Sequence, residues 1–303
     1  MLRRTEPLSA THTGIAMGVT AHVMWGLFPL YFVLIKVVPP PVILGYRVVW
    51  SAVLMLALLP VLRVGPSVRT ALADRATLAK LTLSAALIAV NWLTFIYAVT
   101  TERALQASLG YFITPLAIVA LGVIVLGERL GRVQLVCLAI ASAGVTFKIY
   151  ATGSLPWIAL VLPATFGVYS LIRKTTPADS RTALTVETLV LAPLGIGYIA
   201  FVHTAGHVDH VPWSPGLLAL LSVSGVMTVA PLLLYGGAAK RLHLSTLGFI
   251  QYLGPTMQML IATLALREPF TQADATTFTL IWLALAIYTY DAIQRERRKR
   301  THS

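Results

Sequence analysis

The chain has 303 residues, of which 57% are hydrophobic and 11% are charged. Soluble domains usually carry about 25% charged residues, so this composition excludes a water-soluble protein and indicates that lipid covers most of the surface. The net charge of +12 does not indicate a nucleic-acid partner, because the basic residues lie at the ends of the apolar segments.

Ten apolar segments follow one another along the chain, each about as long as the roughly 20 residues that a membrane-spanning helix needs. They cover residues 14–35, 41–62, 77–99, 104–126, 131–150, 154–173, 182–202, 214–235, 243–266 and 272–293. Every backbone polar group in lipid needs an internal partner, which favours helices as the spanning elements. The segments therefore predict an all-α integral membrane protein with ten transmembrane helices.

The basic residues are distributed unequally between the two sides of this ten-helix arrangement. Eighteen of the 23 Lys and Arg residues lie on the side of the N-terminus, four lie on the opposite side, and Arg47 lies within a segment. Basic loops are retained in the cytoplasm, so the asymmetry predicts that both termini are cytoplasmic. The basic tail is expected to contact anionic lipid headgroups.

Residues 108–130 and 245–270 share one pattern. Each begins with a small residue, continues to Leu-Gly-aromatic, carries a proline in the middle and has a glutamate near its end. The two prolines are 140 positions apart, as are the two glutamates, Glu128 and Glu268. The glutamates fall at predicted helix ends, where solvation is expected. The pattern predicts an internal repeat, a feature typical of membrane transporters.

The repeat predicts two units of five helices each. The first unit covers residues 14–150 and the second covers 154–293, between an N-terminal tail at 1–13 and a basic tail at 294–303. Because five is an odd number of spans, the second unit enters the membrane in the opposite orientation. Inverted repeats of this kind often support transport by alternating access.

Two ionisable residues, Arg47 and Glu187, lie clearly inside predicted spans, 140 positions apart. A charge at the membrane centre costs at least about 2.5–3.5 kcal/mol on insertion scales and usually marks a functional site. Arg47 is a candidate for substrate binding, and Glu187 and His22 are candidates for proton coupling. Alternatively, Arg47 and Glu187 snorkel or pair locally, because each lies less than two turns from its helix start.

Aromatic rings with polar tips and neighbouring polar side chains predict a mid-membrane cavity for mixed small molecules. Its candidate lining residues are Trp25, Tyr31, Asn91, Tyr111, Thr114, Tyr169, Gln251 and Tyr252. Pro115 and Pro255 each remove a backbone hydrogen bond, which predicts a helix discontinuity at each position. The alternative is that these polar groups only hold neighbouring helices together.

A histidine-bearing loop gives the only hint of other chemistry. His203, His207, Asp209 and His210 have spacings that zinc ligands can adopt, but the cluster has no cysteine and precedes Pro212. A solvated loop is favoured, so no metal or cofactor is predicted. The sequence has no HExxH, nucleophile-elbow or Walker A motif, which argues against an enzyme. The alternative is a membrane-embedded enzyme that acts on a lipid-linked substrate.

Several motifs together carry a family resemblance. They are SLGYFITP at 108–115, LGERL at 126–130, STLGFIQYLGPT at 245–256 and IWLALAIY at 281–288, with WG at 25–26, YRVVWS at 46–51 and NW at 91–92. These motifs resemble the RarD branch of the EamA-type transporters, in the drug/metabolite transporter superfamily, over residues 14–295. One departure is Tyr46, where the family pattern has histidine before the arginine.

The resemblance implies ten helices in two inverted repeats, a multi-pass protein of the bacterial cytoplasmic membrane, and transport of small solutes, often their export. Together with the repeat, it predicts a secondary transporter whose solute binds between the two halves. The expected partners are a small-molecule substrate and the lipid bilayer, without nucleic acid.

Overall fold

The computed structural model describes residues 8–126, 131–242 and 244–301, and within these ranges the chain forms only helices and their connecting turns. In chain order the helices are α1 (Leu8–Gly26), α2 (Phe28–Leu34), α3 (Pro40–Leu62), α4 (Gly65–Ala73), α5 (Arg75–Thr100), α6 (Ala104–Leu126), α7 (Arg132–Thr152), α8 (Trp157–Lys174), α9 (Ser180–Thr204), α10 (Pro215–Ala239), α11 (Leu244–Ile250), α12 (Leu253–Leu260), the π-helix π1 (Ile261–Ala265) and α13 (Gln272–Thr301). The fold is all-α, as the sequence predicts.

Seven helical segments within the described ranges are long and apolar enough to cross a membrane. They are Thr11–Leu34, Pro40–Leu62, Arg75–Thr100, Ala104–Leu121, Arg132–Thr152, Ser180–Thr204 and Pro215–Ala239. Large apolar side chains are exposed on these helices, such as Val53 and Leu194, and lipid would cover them. The chain is thus an all-α membrane protein.

The other three predicted spans are also helical, but they are less clear as spans. Helix α8 has 18 residues and ends with Arg173 and Lys174. Residues 244–265 divide into α11, α12 and π1, and α13 continues into the basic tail. Length and composition therefore identify seven spans among the described helices, and the arrangement of ten spans stays a prediction.

Small residues allow the central helices to approach closely. Helices α3 and α9 pack together, and a Cβ atom built on Gly195 would lie 3.1 Å from the carbonyl oxygen of Gly45. Helix α10 also packs on α3, where a Cβ atom on Gly225 would lie 2.6 Å from the carbonyl carbon of Trp50. Such contacts are common where membrane helices associate.

Helix α5 follows the short helix α4, which forms between the predicted spans 41–62 and 77–99. The Asp74 carboxylate caps α5 by accepting a hydrogen bond of 3.0 Å from the Thr77 backbone N–H. Hydrogen bonds from the Thr77 side chain and backbone lower the pKa of Asp74, so the cap stays ionised at neutral pH.

The two prolines of the repeat differ in their effect on the helix. Helix α6 runs through Pro115 without a break, because one proline removes a single hydrogen bond and the flanking bonds continue. The chain is interrupted at Gln251 and Tyr252, and Pro255 lies in the first turn of α12, where a missing N–H is tolerated. A further break at Leu27 separates α1 from α2.

Candidate substrate site

Arg47 is the most deeply buried basic side chain of the described residues, with 3% of its surface exposed. Its Nε–H donates to the Thr228 hydroxyl at 2.7 Å, which links α3 to α10. The guanidinium carbon lies 4.4 Å from the centre of the Trp92 ring, and 5.5 and 5.8 Å from the rings of Phe28 and Phe32. Aromatic faces attract a cation at these distances. Arg47 is thus held among α2, α5 and α10 and does not snorkel to the surface.

Two tyrosines lie within electrostatic reach of this guanidinium. Tyr31 and Tyr111 both interact electrostatically with Arg47. The Tyr31 hydroxyl donates to the Leu220 carbonyl at 2.8 Å. Both tyrosines belong to the predicted cavity lining, and the structure brings them near the predicted arginine.

Asn91 ties three helices together beside this group. Its Nδ2 donates to the Leu162 carbonyl and to the Thr165 hydroxyl of α8, both at 2.9 Å. Its Oδ1 accepts from the Tyr111 hydroxyl of α6 at 3.3 Å. The amide is only 1% exposed, so its bonds hold α5, α6 and α8 in register.

Glu187 is buried on α9 with 2% of its surface exposed. Its Oε1 accepts from the Ser84 hydroxyl at 2.6 Å and lies 3.7 Å from the Arg173 Nε, and Tyr169 lies beside the same carboxylate. The local pairing that the sequence leaves open as an alternative is therefore present for Glu187. The Nη1 of Arg173 is buried without a hydrogen-bond partner in the described structure.

His22 and Trp25 form a separate aromatic group with Tyr235 of α10. The His22 ring lies 5.0 Å from Trp25 and 5.8 Å from Tyr235, and its Nδ1 hydrogen bonds to the Gly18 carbonyl at 2.8 Å. Tyr235 is a member that the sequence reasoning did not identify. The group packs His22 against other rings, and its coupling role stays a prediction.

Pro29 explains a contact next to this group. A proline has no N–H, so the Trp25 carbonyl four residues earlier loses its helical donor. Gln258 Nε2 donates to that carbonyl at 3.0 Å and so joins α12 to α1. The Gln258 Oε1 is buried without a partner among the described atoms.

Thr114, Gln251 and Tyr252 are the remaining predicted lining residues. The Thr114 hydroxyl donates to the Gly110 carbonyl within α6. Gln251 and Tyr252 form the break between α11 and α12, and Tyr252 stacks on Phe112 at 6.4 Å. All nine predicted substrate-binding residues, Arg47 included, are buried or half-buried. Their role in binding stays a prediction.

Two buried contacts at helix ends escaped the sequence analysis. Glu268 is 8% exposed rather than solvated, and it accepts from the backbone N–H groups of Ala104 and Leu105 at 2.7 and 2.8 Å. It therefore caps the start of α6 from a distant part of the chain. Its repeat partner, Glu128, lies outside the described residues.

The second buried contact that the sequence analysis missed joins Lys148 and Asp274. The two side chains form an ion pair of 2.6 Å between α7 and α13. No local pattern marks such long-range partners. Ser84 is different, because Ser224 lies 140 positions after it, so the repeat itself could have pointed to that position.

The histidine-bearing loop has no metal-binding arrangement in the described structure. The His203 ring packs on Trp213 at 5.0 Å, while the His207 ring packs on Phe201 at 5.5 Å. The described residues contain no group of three His, Cys, Asp or Glu side chains that is arranged to hold a metal ion.

Comparison with known proteins gives consistent matches. The model of the EamA-like transporter family matches residues 12–150. The transporter YojE of Bacillus subtilis is 40% identical over 96% of this chain and 98% of its own length. Protein RarD of Salmonella typhimurium is 43% identical over 95% of this chain and 98% of its own, and RarD of Escherichia coli is 40% identical over 95% and 97%.

A solved crystal structure shares the fold. It aligns with a TM-score of 0.58 at 18% sequence identity, and the alignment covers 90% of this chain and 96% of the other. The chain belongs to the EamA-like transporter family, in its RarD branch.

Proposed function

We propose that this protein is a secondary transporter that exports small metabolites or drugs by alternating access, with the substrate bound between two inverted halves. The observation that carries the proposal is the regular spacing of the helix starts. Four successive helices begin at Pro40, Arg75, Ala104 and Arg132, and four later ones begin at Ser180, Pro215, Leu244 and Gln272. Each later start follows its counterpart by 140 positions. This is the spacing of the repeated motifs.

The packing of the helices has the same symmetry. In the repeat, α1, α3, α5 and α6 correspond to α8, α9, α10 and α12. The pair α1–α10 is therefore equivalent to α8–α5, the pair α1–α12 to α8–α6, and the pair α3–α10 to α9–α5. All six of these pairs pack together, and α3–α9 and α7–α13 each pack with their own counterpart. Inverted repeats related in this way support a transport cycle in which one half rocks against the other.

Glycine contacts repeat this relation at the level of single residues. Gly110 of α6 packs on Ala159 of α8, where an added Cβ would lie 3.2 Å from the Ala159 Cα. Ile250, 140 positions after Gly110, likewise meets Gly18, which is 141 positions before Ala159, with an added Gly18 Cβ at 3.4 Å from the Ile250 Cδ1. The glycine lies on the other partner of the contact in the second half, while the contact is kept.

The proposal includes a topology of ten spans, with repeats at 14–150 and 154–293 and both termini in the cytoplasm. A variant with Cys137→Ser leaves no other cysteine, so His207→Cys then provides a single label site. We expect a membrane-impermeant thiol reagent to label it in intact cells. Labelling that requires permeabilised cells would reverse the orientation.

Glu187 is proposed as the proton-coupling residue, with His22 as the second candidate. A carboxylate that exchanges its bond to Arg173 for a proton would link a proton gradient to a conformational change. We expect Glu187→Gln to fold normally and to lose proton-driven accumulation, while exchange of substrate between the two sides continues. Full proton-driven transport in this variant would make Glu187 structural, and His22→Gln would then be the next variant to measure.

Transport itself is tested with sealed vesicles that contain or lack the protein. A mixture of metabolites and drugs is loaded inside, and their loss is followed with and without an imposed proton gradient. We expect protein-dependent loss of at least one solute. Protein-dependent chemical conversion of a lipid-linked substrate without solute movement would favour the enzyme, which no residue arrangement described above favours.

A further inference from the structure

We propose that Arg47 is an anion-binding subsite and that the substrate is a small organic anion with an aromatic or apolar body. This inference rests on the proposed transport function and adds the chemical class of the substrate. It follows from the partners of the buried charges, from the aromatic rings around Arg47 and from the comparison of the two halves.

Within the described part of the chain, every buried charged side chain except Arg47 faces an opposite charge or accepts two backbone hydrogen bonds. Among the described residues, the buried charged side chains are Arg47, Lys148, Glu187, Glu268 and Asp274. Lys148 and Asp274 pair with each other, Glu187 faces an arginine, and Glu268 accepts two backbone N–H groups. Arg47 has no carboxylate within 4.0 Å in the described structure. A buried charge without a counter-charge is costly, so a ligand that supplies one would bind favourably.

The guanidinium keeps unused donors for such a ligand. An arginine side chain has five N–H donors, and only the Nε–H of Arg47 forms a hydrogen bond within the described structure, to Thr228. The two terminal nitrogens form a planar fork that matches the two oxygens of a carboxylate. The Tyr31 and Tyr111 hydroxyls near the guanidinium are neutral and already donate elsewhere, so they do not replace an anion.

The surroundings restrict which anion fits. The Trp92, Phe28 and Phe32 rings lie 4.4 to 5.8 Å from the guanidinium carbon and present apolar surface. A strongly hydrated inorganic ion would lose its water shell here without gaining enough bonds. An arylcarboxylate instead places its charge on the fork and its ring among the aromatic side chains.

The second half of the protein supports the assignment by contrast. Glu187 occupies the position that follows Arg47 by 140, and both side chains bind a hydroxyl on an equivalent helix, Ser84 on α5 and Thr228 on α10. Glu187 has its counter-charge in Arg173, whereas Arg47 has aromatic rings. The two equivalent positions therefore differ in function. Arg47, which has no internal counter-charge, is the one available to bind a substrate anion.

Direct binding tests the inference. Purified full-length protein in lipid nanodiscs is titrated with benzoate and phenylacetate, with the neutral benzamide and phenylacetamide, and with inorganic phosphate. Binding is followed through tryptophan fluorescence and through the shift of the thermal unfolding midpoint. We expect the two carboxylates to bind in the millimolar range or more tightly, and their amides and phosphate to bind at least about tenfold more weakly.

Variants assign the binding to one residue. Arg47→Gln removes the charge, and we expect it to weaken carboxylate binding by about tenfold or more. Arg47→Lys keeps the charge but loses the planar fork, so an intermediate affinity is expected. The control is Arg103→Gln, which removes an exposed arginine near Tyr97 and should leave binding unchanged. If Arg47→Gln does not fold, the carboxylate affinity of Arg47→Lys is the deciding measurement.

Several results would overturn the inference. They are the absence of carboxylate binding to the wild type, equal binding of an acid and its amide, tighter binding of phosphate, and unchanged affinity in Arg47→Lys. Vesicle transport of neutral or cationic solutes without carboxylate binding would refute this inference and leave the transport function intact. Arg47-dependent binding without any solute movement would refute the transport function and leave the subsite intact.

Discussion

The ion pair between Lys148 and Asp274 allows a test of what holds α7 against α13. The side chains are 11% and 9% exposed, and the Lys148 ammonium lies 2.6 Å from Asp274 Oδ1. Asp274 also accepts from the Thr271 backbone N–H at 2.9 Å, as part of the cap of α13. Lys148 has no other ionic partner in the described structure. The two residues thus differ in what remains when the other is removed.

This difference sets the expected free energies of unfolding. Asp274→Ala leaves a buried ammonium without its counter-charge, which costs about 3–5 kcal/mol, and loss of the cap adds about 1 kcal/mol. Lys148→Met keeps most of the side-chain volume and leaves Asp274 its bonds to Thr271, so a cost of about 1–3 kcal/mol is expected. The double variant removes both charges, so it should cost less than the two single variants combined.

The measurement is reversible unfolding of the purified protein in mixed micelles, followed by far-ultraviolet circular dichroism, for the complete double-mutant cycle. The control is Lys36→Met, which breaks the exposed pair of Lys36 and Glu102 and should cost at most about 1 kcal/mol. A larger cost for Lys148→Met than for Asp274→Ala would refute the reasoning. So would a coupling energy within about 0.5 kcal/mol of zero.

Three further outcomes are expected. Gly225→Ala should lower the unfolding midpoint because the new Cβ meets the Trp50 backbone, whereas Gly197→Ala, with nothing within 4 Å, should leave the midpoint unchanged or raise it slightly; equal effects would contradict the close packing of α10 on α3. Glu268→Ala should destabilise the protein by about 1–2 kcal/mol through the lost cap of α6, and amide hydrogen exchange at the start of that helix should become faster. Unchanged amide exchange there would contradict the capping role of Glu268. Thr228→Val should leave the protein folded but alter the fluorescence of Trp92, since the Arg47 guanidinium beside that ring loses its hydroxyl partner. An unchanged fluorescence spectrum would contradict the contact between Arg47 and Thr228.

The helix boundaries were predictable where apolar length and the repeat agree. The predicted span 41–62 corresponds to Pro40–Leu62, and 182–202 corresponds to Ser180–Thr204. The sequence missed α4 because nine residues in a polar segment carry no spanning signal, and their packing on α9 and α5 stabilises the helix. Helical propensity alone is weak in so short a segment.

The charged members of the candidate site were predictable for a different reason. Arg47 and Glu187 stand out in apolar sequence because buried charge is costly. Their partner Thr228 does not stand out, since hydroxyl residues are common in membrane helices and often bind their own helix backbone. Ser84 is marked only through the repeat, by Ser224 at the equivalent position. Which face of α10 meets α3 depends on close packing at Gly225, and a single sequence does not encode that register in any local pattern.

The two prolines of the repeat show how neighbours decide whether a helix breaks. Pro115 and Pro255 occupy equivalent positions, yet α6 is continuous and the second helix is interrupted before α12. Proline therefore does not cause the break by itself. The preceding residue differs, because Gly254 is a poor helix former, whereas Thr114 has a higher helical propensity and bonds only the Gly110 carbonyl of its own helix. Under the proposed alternation, α6 has the same proline available to bend when the halves exchange roles.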